Sequence, residues 1–175
     1  MQRAVKYVGK DDDLLTRLKN DAHASHWHWT EFGAYTDLAS HLRSEKQTEF
    51  PDKHTSGREF QRWMRHRFAP ILLDIDFSEP GATEIVRSVR QIDGGVPLIV
   101  ISSPGSLRAY SIARMDGADA FFKKSSSNLG SLIGGVEAAF DKMDRWERTL
   151  LQFKNKSQSA QLHAKPSRTG CADRS

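Results

Sequence analysis

Three apolar segments of the sequence each lead directly into a side chain that can take part in chemistry. The carboxylate of Asp74, the hydroxyl of Ser102 and the ammonium of Lys124 occupy these positions. A carboxylate can act as a nucleophile, a hydroxyl can donate a hydrogen bond, and an ammonium can stabilise negative charge. Brought together, the three groups would supply a nucleophile, a hydroxyl donor and a cation to one site. Taken singly, Asp74 would more simply cap a helix, and Ser102 would be an ordinary bonded hydroxyl.

The elements that must position these groups are the strands of a parallel sheet. Apolar runs at 4–8, 70–75, 97–102 and 120–123, with an alternating run at 25–30, predict five strands. Helical spacing of apolar residues predicts about five helices, the last of them long and starting near Ser127. This alternation predicts an α/β fold, a flavodoxin-like, doubly wound five-stranded parallel sheet with an extended last helix. Because the carboxyl ends of parallel strands share one edge, the three groups are expected to meet there.

The order of these motifs resembles that of response-regulator receiver domains, the CheY-like domains of bacterial two-component signal transduction. The resemblance spans roughly residues 3–145 and is carried by Leu72-Leu73-Asp74, by Ser102 and by Phe121-Phe122-Lys123-Lys124. It implies that Asp74 is the phosphoacceptor, Ser102 the switch hydroxyl, Phe121 the switch aromatic and Lys124 the phosphate-contacting lysine. Phosphorylation would then change the packing that protein partners read. On its own, Phe121 is as well explained as a core residue.

The same resemblance reveals a departure at the end of the first strand. Receiver domains have two adjacent acids there that hold Mg²⁺, whereas the aligned positions are Gly9 and Lys10, and Asp11 falls one position too late. Mg²⁺ requires oxygen ligands in near-octahedral geometry, so glycine and lysine are poor replacements. The Lys10 ammonium could also pair with Asp74 in place of the metal. The sequence therefore predicts an atypical receiver in which phosphorylation is weak or absent.

An alternative stays open at this site. If the first strand is longer, Asp11 and Asp12 could serve as the acidic pair beside Asp74, and the protein would be a conventional phosphorylated response regulator. Asp76 could act as a substitute ligand, so that a metal set would consist of Asp11, Asp74 and Asp76. Mg²⁺ is the single cofactor that this alternative implies.

The sequence predicts one domain, residues 1–150, with a polar insertion at 44–57, and then a basic, disordered tail at 151–175. Residues 148–175 contain six basic residues and one acidic residue, so the net charge of +4 over 175 residues arises from this end. A basic tail is more often a solvated extension than a nucleic-acid-binding device, although nucleic-acid binding through it stays a second alternative. No apolar run is long enough for a membrane span.

The expected function is that of a stand-alone, non-enzymatic cytoplasmic domain that acts through protein–protein contacts. The single cysteine, Cys171, agrees with a reducing compartment. Its partners would be a histidine kinase or a downstream regulator or effector. The apolar stripe of the last helix, with Trp146, Leu150 and Phe153, exceeds what one small sheet can cover, and this predicts a partner or homodimer contact. A flavin- or nucleotide-binding enzyme is disfavoured because no glycine-rich phosphate loop follows the first strand.

Overall fold

The computed structural model describes residues 3–48, 51–52, 55–77, 79–103, 107–125 and 128–163, with side chains described as far as Lys156. Strands and helices alternate along this part of the chain. In order they are β1 (Ala4–Val8), α1 (Asp12–Asn20), β2 (His28–Phe32), α2 (Tyr35–Gln47), α3 (Gly57–Arg67), β3 (Ile71–Asp74), α4 (Ala82–Ile92), β4 (Leu98–Ser102), α5 (Leu107–Met115), β5 (Ala120–Lys123) and α6 (Leu129–His163). None of these described helices combines the length and the apolar composition that a membrane span requires.

The five strands form one parallel sheet in the order β2-β1-β3-β4-β5, which confirms the predicted flavodoxin-like fold. Side chains of β3 and β4 alternate between its faces. Leu72 and Ile99 pack in a core with α1 and α6, whereas Leu73 and Val100 pack in a second core with α2 and α4. Both faces of the sheet are therefore covered, as the unbroken apolar runs of these strands indicate. This architecture places the carboxyl ends of β1, β3, β4 and β5 at one edge.

The β2 strand lies later in the chain than the alternating run at 25–30 predicts. Its residues are His28–Phe32, and Trp27 belongs to the turn before it, where the Trp27 N–H donates to the Ala24 carbonyl oxygen at 3.0 Å. Trp27 is buried in the same core against which Trp29 packs. Burial of this large ring in the turn outweighs the alternation that would have extended the strand backwards.

The polar insertion predicted at 44–57 contains less loop than expected. Residues 44–47 form the last turn of α2, because their glutamate, lysine and glutamine are good helix formers. Ser56 then starts α3 with a capping box, in which its hydroxyl accepts from the Glu59 N–H and the Glu59 carboxylate accepts from the Ser56 N–H. Residues 49, 50, 53 and 54 of the insertion lie outside the described residues.

The α6 helix crosses the predicted domain boundary at residue 150. Residues 151–163 are helical, so the expected disordered tail is wrong for that segment, and residues 164–175 lie outside the described residues. The α3 helix supports this extension, because the Lys154 ammonium lies 5.4 Å from the centre of the Phe60 ring. A tertiary contact of this kind stabilises a helix whose own apolar content is low.

Candidate functional site

Asp74 and Lys124 meet at the carboxyl edge of the sheet. Asp74 is the last residue of β3, and Lys124 directly follows β5. The Lys124 Nζ atom lies 2.8 Å from Asp74 Oδ2 and 3.1 Å from Asp74 Oδ1. The Asp74 side chain is 8% exposed, so water screens this ion pair weakly. The parallel strands thus bring together Asp74 and Lys124, the two charged groups that were predicted from their positions at strand ends.

Tyr7 forms a third part of this site and was not among the residues expected there. Its hydroxyl oxygen lies 3.0 Å from Asp74 Oδ2, to which it donates, and 3.3 Å from the Asp11 carbonyl oxygen. Burial, followed by the negative charge of Asp74, raises the pKa of Tyr7, so the phenol stays protonated and acts as a donor. One feature of the sequence could have placed Tyr7 in the site. Residues two apart in a strand lie on the same face, and Tyr7 is two residues before Gly9, which aligns with a site position.

Gly9 leaves the space that the Tyr7 hydroxyl and Asp74 occupy. A Cβ atom built at Gly9 would lie 2.6 Å from the Asp74 Cβ and 2.8 Å from the Tyr7 hydroxyl oxygen. Both distances are too short for any side chain without movement of its neighbours. Gly9 therefore has a steric role in this site, in addition to lacking the carboxylate that the aligned position would supply.

Lys10 does not pair with Asp74, so that expectation is wrong. The Lys10 side chain is exposed, and the ammonium that neutralises Asp74 is the one of Lys124. Lys10 lies in the turn between Gly9 and Asp11, the N-cap of α1, and its side chain points into solvent. The ammonium beside Asp74 that was expected from Lys10 is therefore supplied by Lys124.

Asp11 lies within the site, although it follows the two positions that align with the acidic pair. It is the N-cap of α1, where its Oδ1 atom accepts from the Leu14 N–H at 2.9 Å. Its Oδ2 atom lies 2.8 Å from Lys124 Nζ. The bond to Lys124 and then the bond to the Leu14 N–H hold the pKa of Asp11 below its usual range. Asp12, the second acid of the alternative pair, is exposed in the first turn of α1.

Lys124 therefore bridges two carboxylates. Burial alone would lower the pKa of Lys124, but the hydrogen bonds to Asp11 and Asp74 outweigh it and raise the pKa above its ordinary value. The lysine is thus charged at neutral pH, and it holds the first turn of α1 against the ends of β3 and β5. The bridge neutralises one of the two negative charges at this edge.

Among the described residues, neither Ser102 nor Phe121 forms a hydrogen bond to Asp74. The Ser102 hydroxyl is fully buried and accepts from the Phe77 N–H at 3.3 Å, so it ties the loop after β3 to the end of β4. The Phe121 ring is partly buried, with its centre 6.0 Å from that of Phe77 and 6.1 Å from that of Tyr110. One loop thus connects the two predicted switch residues through Phe77.

The residues at this edge do not fit Mg²⁺ well. Each oxygen of Asp74 has Lys124 as a partner, Oδ2 also accepts from Tyr7, and both oxygens of Asp11 are bonded as described above. Asp76 lines the same cleft, but the described residues contain no group of three or more acidic, histidine or cysteine side chains arranged to hold a metal ion. Mg²⁺ requires several free oxygen ligands, whereas the Lys124 ammonium occupies the shared position between the two carboxylates.

An open cleft of about 630 Å³ gives access to the site. The loops after β1, β2 and β3 line it, and Lys10, Tyr35, Glu79 and Lys124 are among its side chains. A phosphodonor or a protein segment can therefore approach the Asp74 edge from solvent. The Asp74 side chain itself is 8% exposed, so both its burial and its bonds limit what can happen there.

Comparison with solved structures identifies the fold. The structure resembles the CheY-like response regulator receiver domain protein from Methanospirillum hungatei, with a TM-score of 0.53, 16% identity and coverage of 83% of this chain and 98% of that chain. A response regulator from Thermotoga maritima gives a TM-score of 0.56, 15% identity and coverage of 81% and 99%. The beryllofluoride-activated NtrC4 receiver domain dimer gives a TM-score of 0.56 and 16% identity, with coverage of 80% of this chain and 98% of that chain.

These similarities show that the chain has the receiver-domain fold. No protein-family model matches the sequence, and no curated protein matches it. At identities of this order the similarity is one of architecture, and function has to be argued from the site.

Proposed function

We propose that this protein is a receiver-type signalling domain that acts through regulatory protein–protein contacts without depending on phosphorylation. The observation that carries the proposal is the Lys124 ammonium between Asp74 and Asp11. Both carboxylates that a metal would use are already partners of this ammonium, so a metal would have to displace it. The domain therefore holds a fixed arrangement at the edge that a receiver would use for switching.

Asp74 remains the candidate phosphoacceptor, and phosphorylation of it should be slow. A nucleophilic carboxylate needs a lone pair aimed at phosphorus, yet Oδ2 accepts from both Tyr7 and Lys124 and Oδ1 from Lys124. Each charge-assisted bond of this kind contributes about 1.5–3 kcal/mol when it is well formed. These bonds use three of the roughly four lone-pair sites of the carboxylate, so a phosphodonor can react only at the site that remains on Oδ1 unless a bond is displaced.

The proposal predicts little response of the site to the reagents that mimic phosphorylation. We would follow amide resonances of Asp74, Ser102, Phe121 and Lys124 by NMR during titration with Mg²⁺ and then with beryllofluoride, which mimics an aspartyl phosphate. Asp74→Asn is the control for shifts that do not involve the carboxylate. We expect the wild-type and Asp74→Asn proteins to give the same small shifts.

Large shifts that are absent in Asp74→Asn would contradict this proposal. They would favour a conventional phosphorylated response regulator that uses Asp11 with Asp74, since Asp11 lies in the site. A parallel measurement with Tyr7→Phe separates the two causes of a closed site. If the tyrosine contributes, that variant responds to beryllofluoride more strongly than the wild type does.

We also propose that the exposed apolar side chains of α6 take part in the protein contacts, including contact with a second copy of the chain. Trp146 is 55% exposed and Phe153 is 63% exposed, and the two lie about two turns apart on this helix. Light scattering of wild type and Trp146→Glu tests the homodimer, with Gln152→Glu as a control on the same helix. A dimer that Trp146→Glu alone dissociates is expected, whereas a monomeric wild type would exclude self-association.

A further inference from the structure

A second cavity lies at the opposite end of the strands from Asp74. It encloses about 280 Å³ between α3, α6 and the beginnings of β1 and β3. Its apolar walls come from Met64, Phe68, Pro70, Phe140 and Met143. This volume lies just below the roughly 300–1,000 Å³ that is usual for ligand pockets, so any ligand must be small.

Four charged side chains line the same cavity, two of each sign. Arg3 Nη2 lies 3.5 Å from Asp144, and Arg65 Nε lies 3.4 Å from Glu147. Well-formed charge-assisted bonds measure about 2.7–2.9 Å, so neither pair is closed. Arg3 also forms an ion pair to Glu137 through Nη1 at 2.8 Å, and its guanidinium lies 4.7 Å from the centre of the Phe140 ring. Its remaining N–H groups, the Arg65 guanidinium and the carboxylates of Asp144 and Glu147 keep capacity for another partner.

Glu147 is the most informative of the four. It is 6% exposed, and the ion pair to Arg65 is its one side-chain contact recorded among the described residues. A buried carboxylate is costly unless it is fully paired and hydrogen-bonded. An exposed glutamate on a helix surface would carry no such cost. Its burial beside an apolar cavity therefore points to a ligand that brings a hydrogen-bond donor.

We propose that this cavity binds a free apolar α-amino acid. The ammonium group would donate to Glu147 and Asp144, the carboxylate would accept from Arg3 and Arg65, and the apolar side chain would lie among the methionine and phenylalanine walls. A simple anion would face two carboxylates, and a simple cation would face two guanidinium groups. A zwitterion matches both pairs, and an arginine fork suits a carboxylate in particular.

This site does not depend on the signalling role proposed for the Asp74 edge. The cavity is lined by the first residues of β1 and by residues just before β3, whereas Asp74 ends β3 at the other edge of the sheet. Binding in the cavity can therefore be present or absent whatever the response of Asp74 to beryllofluoride.

Isothermal titration calorimetry with the full chain tests the proposal. The probes are L-leucine, L-methionine and L-phenylalanine up to roughly 10 mM, which reaches dissociation constants in the millimolar range. L-aspartate is the polar comparison. N-acetyl-L-phenylalanine and L-phenylalaninamide each lack one charge and imitate the last and first residues of a peptide. We expect saturable binding of at least one apolar amino acid and a loss of about tenfold or more with each single-charge derivative.

Variants locate the site. Glu147→Gln should weaken binding by about tenfold or more, whereas Asp141→Asn, an exposed acid on the same helix that does not line the cavity, should leave it unchanged. Met143→Trp fills the cavity without changing its charge and should abolish binding, with near-ultraviolet circular dichroism as the check on folding. The proposal is overturned if no apolar amino acid binds, if a single-charge derivative binds equally well, or if Met143→Trp retains the affinity.

Discussion

Replacement of Lys124 by methionine tests the bridge at the centre of the proposed function. Methionine keeps most of the length of the side chain and removes the ammonium, so Asp74 loses its cation and both of its bonds to Nζ. At 2.8 Å and an effective dielectric constant of about 20, the attraction between one carboxylate and the ammonium is about 6 kcal/mol before desolvation is subtracted. Removal of one partner of a buried pair typically costs about 3–5 kcal/mol.

The expected loss is smaller than that range, because Lys124 and Asp11 are each about a quarter exposed. We expect Lys124→Met to lower the free energy of unfolding by about 2–4 kcal/mol in urea or thermal denaturation. Lys123→Met is the matched control, since Lys123 is the preceding residue and its side chain is exposed. It should change the free energy of unfolding by less than about 0.5 kcal/mol.

A double-mutant cycle with Asp74→Asn shows whether the loss comes from this pair. In the Asp74→Asn background no buried charge is left unpaired, so Lys124→Met should cost at least about 1 kcal/mol less than in the wild type. Equal costs in the two backgrounds, or a cost for Lys124→Met no larger than that for Lys123→Met, would refute the reasoning. In either case the ammonium would not hold the Asp74 carboxylate.

Three further predictions concern the same edge of the sheet. Gly9→Ala should destabilise the protein by about 1–3 kcal/mol in denaturant unfolding, because its Cβ meets Asp74 and Tyr7, whereas Gly33→Ala meets no atom within 4 Å and should be nearly neutral. Tyr7→Phe should cost about 1–2 kcal/mol by the same measurement, since it removes a donor from a buried carboxylate; no loss would show that the hydroxyl does not bond to Asp74. The stability difference between wild type and Lys124→Met should be constant at neutral pH and shrink at both extremes. It falls as pH drops below 3.8 through the lowered pKa of Asp11, and as pH rises above 10.5 through the raised pKa of Lys124; a difference that stays flat at both extremes contradicts the bridge.

Much of the fold is predictable because buried parallel strands have a strong local signal. The apolar run at 4–8 coincides with β1, and the run at 120–123 coincides with β5. The failures occur where contacts between distant residues decide the outcome. Burial of Trp27 in a turn shifts the start of β2, and the contact of Lys154 with Phe60 of α3 stabilises the part of α6 beyond residue 150.

The site is predictable to a smaller extent, because spacing along a strand does not determine where the residues after it lie. Asp74 and Lys124 are found from their positions at strand ends, which the sheet brings to one edge. The place of Asp11 depends on the turn between β1 and α1. In this turn the Lys10 side chain lies in solvent, and the carboxylate of the next residue, Asp11, contacts Lys124. An error of one residue in predicting that turn therefore places the Lys10 ammonium where the structure has the Asp11 carboxylate.

The geometry at Gly9 also bears on whether the site could be converted into a metal site by one substitution. Introduction of an acid at this position would supply a carboxylate, but its Cβ would already lie 2.6 Å from that of Asp74. The Tyr7 hydroxyl occupies the adjacent space, so Gly9 and Tyr7 must change together for an additional ligand to fit. We therefore expect Gly9→Asp alone to destabilise the protein without producing a Mg²⁺-dependent NMR response at Asp74. The tyrosine, the glycine and the lysine bridge are linked by contact and charge, so a single substitution at Gly9 would not create a metal site.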